Sequence, residues 1–153
     1  MTLNPRPAVR ALLIDPDFRI LLLKGHDITL TDAEPWWFTV GGGIRPHETP
    51  KQALRREVLE ETGHVIAELL PTPFSRTFSF TFEGRPHLQH ETFYVAMSPR
   101  FDPDPKYLTA MEKRSIIGFK WWSLQELQQT KETIYPAQLA SWLEYLVKSR
   151  LSR

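Results

Sequence analysis

Two short, almost wholly apolar runs near the start of the chain, residues 8–14 and 19–23, constrain the fold most, and Asp15-Pro16-Asp17 separates them. β-Branched and leucine-rich runs of this length, parted by a turn tripeptide, predict a strand, a tight turn and a second strand. Neither run alternates with polar residues, so both faces of these strands are expected to be covered. A sheet with both faces covered needs helices, and the rest of the sequence offers them.

Residues 36–40, WWFTV, predict a third strand that runs directly into Gly41, Gly42 and Gly43. Thr49-Pro50 with Gln52 three residues after the threonine predicts a capped helix start, and Gly63 a helix stop. Residues 74–82 alternate, with Phe74, Arg76, Phe78, Phe80 and Phe82 on one face. Together with residues 88–97 and the turn Glu83-Gly84-Arg85-Pro86 they predict an antiparallel hairpin. Residues 99–107 hold three prolines and predict a loop. A strand at 116–122, a short helix at 123–129 capped by Ser123 and Glu126, and a helix from 136 to about 148 complete the chain. On that last helix Leu139, Trp142, Leu143 and Leu146 form one stripe, expected to pack on the sheet. Hairpins mixed with crossovers imply an α/β fold around a mixed sheet, in one domain over all 153 residues.

Composition excludes several function classes. With no cysteine there is no thiolate nucleophile, disulfide framework or cysteine-based metal site. Nineteen Lys and Arg against eighteen Asp and Glu give no global pull towards nucleic acid or an anionic membrane. No run approaches the ~20 residues that span a bilayer, and the prolines and aspartates near the start argue against a secretory leader. A cytoplasmic enzyme is the default expectation.

The chemistry concentrates in residues 42–63, GGIRPHETPKQALRREVLEETG. Glu57, Glu60 and Glu61 stand at helical spacing i, i+3 and i+4, so they share one face. Like charges there repel, by a few tenths of a kcal/mol per pair in water and more when desolvated, unless a cation joins them. Oxygen-only donors point to a hard divalent ion, Mg2+ or Mn2+, with positions left open for substrate phosphates. Leu54 and Val58 flank the acidic face and are expected to anchor the helix. Arg56 and Glu48 are expected to pair and tie the preceding loop down.

The spacing G-x5-E-x7-R-E-U-x-E-E-x-G-U, where U is a bulky aliphatic residue, fits residues 42–64 at eight of nine defined positions. By background residue frequencies a chance match is roughly one in ten million. The sequence resembles the Nudix hydrolase family, of the MutT-like kind, and the flanking WWFTVGG and GFKWWSLQEL also resemble family segments. One position departs: His64 stands where an aliphatic residue is usual, and a partly exposed structural histidine is expected there.

The resemblance implies an α/β/α sandwich with a central mixed sheet and Mg2+-dependent cleavage of a phosphoanhydride in a nucleoside diphosphate-linked substrate by metal-activated water. It implies Glu57 and Glu61 as principal metal ligands, Glu60 as a third and the carbonyl of Gly41 as a fourth, with Arg56 supporting them. Family members differ in the position of the general base; Glu112 and Glu91 are both candidates, and Glu91, Arg76 and Trp37 are candidates for touching substrate. Arg10 and Arg85 are further candidates for reaching phosphates. The ADP-ribose and diadenosine-polyphosphate signatures are absent, with Ser79 and Phe80 in that region, which leaves a nucleoside di- or triphosphate or a nucleotide sugar as expected small-molecule partner. No nucleic acid or membrane partner is expected, and the chain is expected as a monomer or homodimer. A non-catalytic nucleotide-binding module is the competing reading, and an RNA 5′-end enzyme would require a basic groove.

Overall fold

The computed structural model describes residues 4–151. Its seven strands are β1 (Arg6–Ile14), β2 (Ile20–Gly25), β3 (Trp36–Gly43), β4 (Leu70–Phe82), β5 (Arg85–Met97), β6 (Ile116–Trp122) and β7 (Thr133–Tyr135). The helices are α1 (Pro50–Thr62), α2 (Ala110–Ser115), α3 (Leu124–Gln129) and α4 (Leu139–Leu151). The sheet is mixed. β1 pairs in parallel with β5 over nine residues and β3 in parallel with β7, while the other pairings are antiparallel.

The apolar runs behave as their lack of alternation requires: Leu12, Leu13, Ile20, Leu21, Leu22 and Leu23 are all buried. Odd and even positions feed different cores. Val9, Ala11, Leu13, Leu21 and Leu23 pack with Ala53, Leu54 and Val58 of α1. Leu12, Ile14, Ile20 and Leu22 pack with Leu127 of α3 and Leu139 and Leu143 of α4. Helices therefore cover both faces, which makes the chain an α/β/α sandwich with a central mixed sheet. The stripe on α4 meets the sheet as expected, with Trp142 stacked on Phe74 at 4.6 Å between ring centroids.

β3 holds the fold's central junction. Its first half pairs with β2, Leu22 opposite Thr39, and its second half pairs with β1, Ala8 opposite Gly43. The three glycines thus continue the strand, where the sequence suggested that it ends at Val40, because main-chain pairing needs no side chain. α1 begins and ends as expected: the Thr49 hydroxyl accepts from Gln52 N–H at 3.1 Å, the Gln52 side chain accepts from Thr49 N–H at 2.9 Å, and Gly63 adopts φ 74°.

Four local expectations need correction. Arg85 and Pro86 belong to β5, and the hairpin turns on Glu83 and Gly84, both at positive φ. A short 3-10 turn at Pro105–Tyr107 interrupts the expected loop, and α2 follows it. β7 was not expected, since three residues are too few to show a period, and it delays the start of α4 from 136 to Leu139. Among the described residues no helix is long and apolar enough to cross a membrane.

Candidate active site

The glycine strand runs between an acidic group and an arginine-lined cleft. On the acidic side, burial of Leu54 and Val58 brings the adjacent flank of α1 against the glycines of β3. Glu57 and Glu61, one helical turn apart, are joined there by Glu112 of α2, and one oxygen from each lies within 4.8 Å of the others. Glu61 is 5% exposed and accepts from Gly41 N–H at 2.7 Å. Glu112 is fixed by a capping box: its Oε1 accepts from Thr109 N–H at 2.9 Å and its own N–H donates to the Thr109 hydroxyl at 3.1 Å. A methyl group at Gly42 would sit 2.7 Å from the Glu57 carboxylate, so a larger residue there would push that carboxylate out of place.

Burial pushes the Glu61 carboxyl well above its ordinary range, and the neighbouring Glu57 adds to the rise. Burial likewise raises Glu57, against the pull of Arg56. Carboxylates that are close, partly desolvated and mutually repelling are costly without a cation. Their all-oxygen chemistry suits a hard divalent cation.

Glu60 stands outside this group. Its carboxylate turns to Arg56 at 3.3 Å and Arg45 at 3.8 Å, so the third gathered carboxylate comes from α2 and not from α1. Arg56 organises the helix start. It grips Glu48 with two bonds of 2.7 and 2.8 Å, donates to Glu57 at 2.9 Å and reaches the Gly43 carbonyl at 3.1 Å. The guanidinium holds the Glu48 carboxyl down at about 2. Glu48 also accepts from Arg45 N–H at 2.8 Å, which ties the loop to the helix as expected.

On the other side lies a cleft of about 1000 Å³, lined by Arg6, Arg10, Arg76, Phe38, Phe78 and Trp36 among others. Arg85 and Arg114 also line it, so it is basic although the net charge is only +1. Glu91, 1% exposed, lies between Arg10 and Arg76 of that lining. Two guanidiniums outweigh its burial and hold its carboxyl low, so it is a poor proton acceptor. Arg10 also donates to the Gly41 carbonyl at 2.9 Å, engaging the atom expected to face a metal. Trp37 needs correction as a substrate contact. Strand alternation points it into the core, 7% exposed and edge-on to Trp122, while its neighbour Trp36 lines the cleft.

His64 packs flat on Phe101, with ring centroids 4.2 Å apart, and its Nε2 lies 3.0 Å from the Ser98 hydroxyl. A histidine thus fills an aliphatic position by presenting its ring face. Sequence reasoning missed α2, although Thr109 and Glu112 carry the threonine-x-x-glutamate capping signal.

Comparison with known proteins agrees with this geometry. The NUDIX domain profile matches residues 4–143. An RNA pyrophosphohydrolase of Caulobacter vibrioides is 31% identical over 138 residues, covering 86% of this chain and 77% of that protein. Among solved structures, a NUDIX hydrolase from Nitrosomonas europaea superposes with a TM-score of 0.66 at 22% identity, over 95% of this chain and 91% of that one. The NUDIX domain of Shewanella oneidensis NrtR complexed with ADP ribose gives a TM-score of 0.68 at 17% identity, over 95% and 90% of the two chains.

Proposed function

We infer the function from one premise: the chain belongs to the NUDIX domain family, and it is a hydrolase of phosphoanhydride bonds. Its substrate is a nucleoside 5′-polyphosphate, its cofactor Mg2+ or Mn2+, and its site of action the cytoplasm. The observation that carries this reading is the convergence of Glu57, Glu61 and Glu112 within 4.8 Å beside a strand of glycines. These three carboxylates would hold the cation. When bound, such a cation neutralises charge on the phosphates and lowers the pKa of water.

The chain's own residues do the rest. Arg56 holds Glu57 against the glycine strand, and the bond from Gly41 N–H fixes Glu61. Glu112 completes the set that would hold the cation. The capping bond engages one of its oxygens and sets the orientation of the carboxylate, which leaves the other oxygen for the metal. Glu60 balances Arg56 and Arg45 and acts on the site through them.

Arginines along the cleft favour a second reading of the substrate, the 5′-triphosphate end of an RNA, and the likeness to the RNA pyrophosphohydrolase of Caulobacter supports it. One assay separates the readings. Purified protein with Mg2+ or Mn2+ is offered nucleoside di- and triphosphates, nucleotide sugars and 5′-triphosphorylated RNA, and release of phosphate and pyrophosphate is measured. Glu57→Gln and Glu61→Gln are expected to lower kcat about a thousandfold or more with the fold retained. Nucleotide binding without turnover on any substrate would instead favour a non-catalytic module.

A further inference from the structure

Glu91 is a buried charge held by two arginines of the cleft lining, and the hydrolytic chemistry does not use it. β5 lies between β1 and β4, so a carboxylate on it is reached from both sides. Glu91 accepts from Arg10 Nε at 2.5 Å, from Arg76 Nε at 2.6 Å and from Gln89 Nε2 at 3.0 Å. Each guanidinium is held a second time. Arg10 donates through Nη1 to the carbonyls of Thr39 and Gly41, both at 2.9 Å, and Arg76 lies 3.8 Å over the ring of Phe78.

One carboxylate against two guanidiniums leaves a positive charge in a partly desolvated place. That surplus is costly unless a further anion meets it. Arg6, also lining the cleft, adds to the surplus. The distance to the acidic group is short, because Gly41 serves both sides: its N–H donates to Glu61 and its carbonyl accepts from Arg10. One residue's backbone separates the two groups, a gap that a chain of phosphates can bridge.

We propose that Arg10 and Arg76 clamp a substrate phosphate adjoining the bond that is cleaved, with Glu91 as the positioning residue, so that the enzyme prefers a triphosphate to a diphosphate sugar. This deepens the hydrolytic reading and rests on it. Nε of each arginine is spent on Glu91 and Nη1 of Arg10 on two carbonyls, which leaves Nη2 of Arg10 and the terminal nitrogens of Arg76 for the ligand and lowers the ordering needed on binding.

The test is binding without metal, so that it stands apart from turnover. Nucleoside mono-, di- and triphosphate of one base are titrated into the protein in a chelator and followed by calorimetry. Wild-type affinity is expected to rise with each phosphate. Arg76→Gln and Glu91→Gln are expected to weaken triphosphate binding about tenfold or more and to flatten the series. In the metal-loaded enzyme the same variants raise KM for a triphosphate more than for a nucleotide sugar. If Glu91→Gln does not fold, Arg76→Gln, whose side chain is at the cleft surface, carries the test. A phosphate series that disappears in the variants supports the clamp with or without turnover. Folded variants that keep the wild-type series overturn it, including when the wild type hydrolyses nucleotides.

Discussion

Glu61 and Glu48 lie at opposite ends of one network and pull stability in opposite directions with pH. The folded chain holds the Glu61 carboxyl above its ordinary range, through burial first and then through Glu57. The metal-free protein therefore binds that proton more tightly than the unfolded chain does. The stability it brings is complete below the ordinary glutamate range and is lost as pH rises through the folded value. Glu48 is the reverse, held at about 2 by Arg56, so its contribution is present above the ordinary 4.5 and is lost as pH falls towards about 2. Tm of the metal-free protein, followed by differential scanning fluorimetry, is expected to fall on both sides of a mildly acidic maximum. Glu61→Gln should lift the high-pH limb and Glu48→Gln should remove part of the acid limb. Added Mg2+ should raise Tm most on the high-pH side, since it competes with the proton. Spacing alone revealed the shared face of Glu57 and Glu61, because helical periodicity is local. It could not reveal that Glu60 would be drawn away to Arg45, because that pairing depends on how the loop at 44–48 is held.

At the scale of elements, α1 was legible to its last residue, since its caps are written in Thr49, Gln52 and Gly63. α2 was not, although it carries the same signal, because six residues show no apolar stripe and buried residues are absent from it. The glycine strand was legible as a close approach but not as a strand, since its partner in β1 lies over thirty residues away. A consequence attaches to α2. Thr109 both starts the helix and holds Glu112, so Thr109→Ala is expected to cost about 1 kcal/mol or less in global stability. Its effect on the site should be larger: without the hydroxyl that accepts from Glu112 N–H the cap loosens, the Thr109 N–H that meets the Glu112 carboxylate is held less firmly, and metal affinity, measured by Mn2+ titration, is expected to fall several-fold. Thr109→Ser, which keeps the hydroxyl, should restore it.

Across the whole molecule the apolar runs dictated most of the architecture. Strands without alternation demanded cover on both faces, and α1 on one side with α3 and α4 on the other supply it. What the sequence did not disclose is how the sheet folds back on itself: β3 is shared between β1 and β2, and Arg10, Arg76 and Glu91 come together from three strands only in the assembled sheet. The acidic group is assembled the same way. α1 alone presents Glu57 and Glu61, whereas Glu112 comes from α2, beyond β4 and β5 in the chain and next to β6, which pairs with β2. Long-range closures of this kind are the slow events of folding. Cation capture is thus a clock for the last of them: a half-assembled chain offers two carboxylates and grips weakly, and a complete one offers three. In refolding, tight Mn2+ uptake is expected in the same kinetic phase as the near-ultraviolet signal of the five tryptophans, and not in the earlier phase in which helix appears.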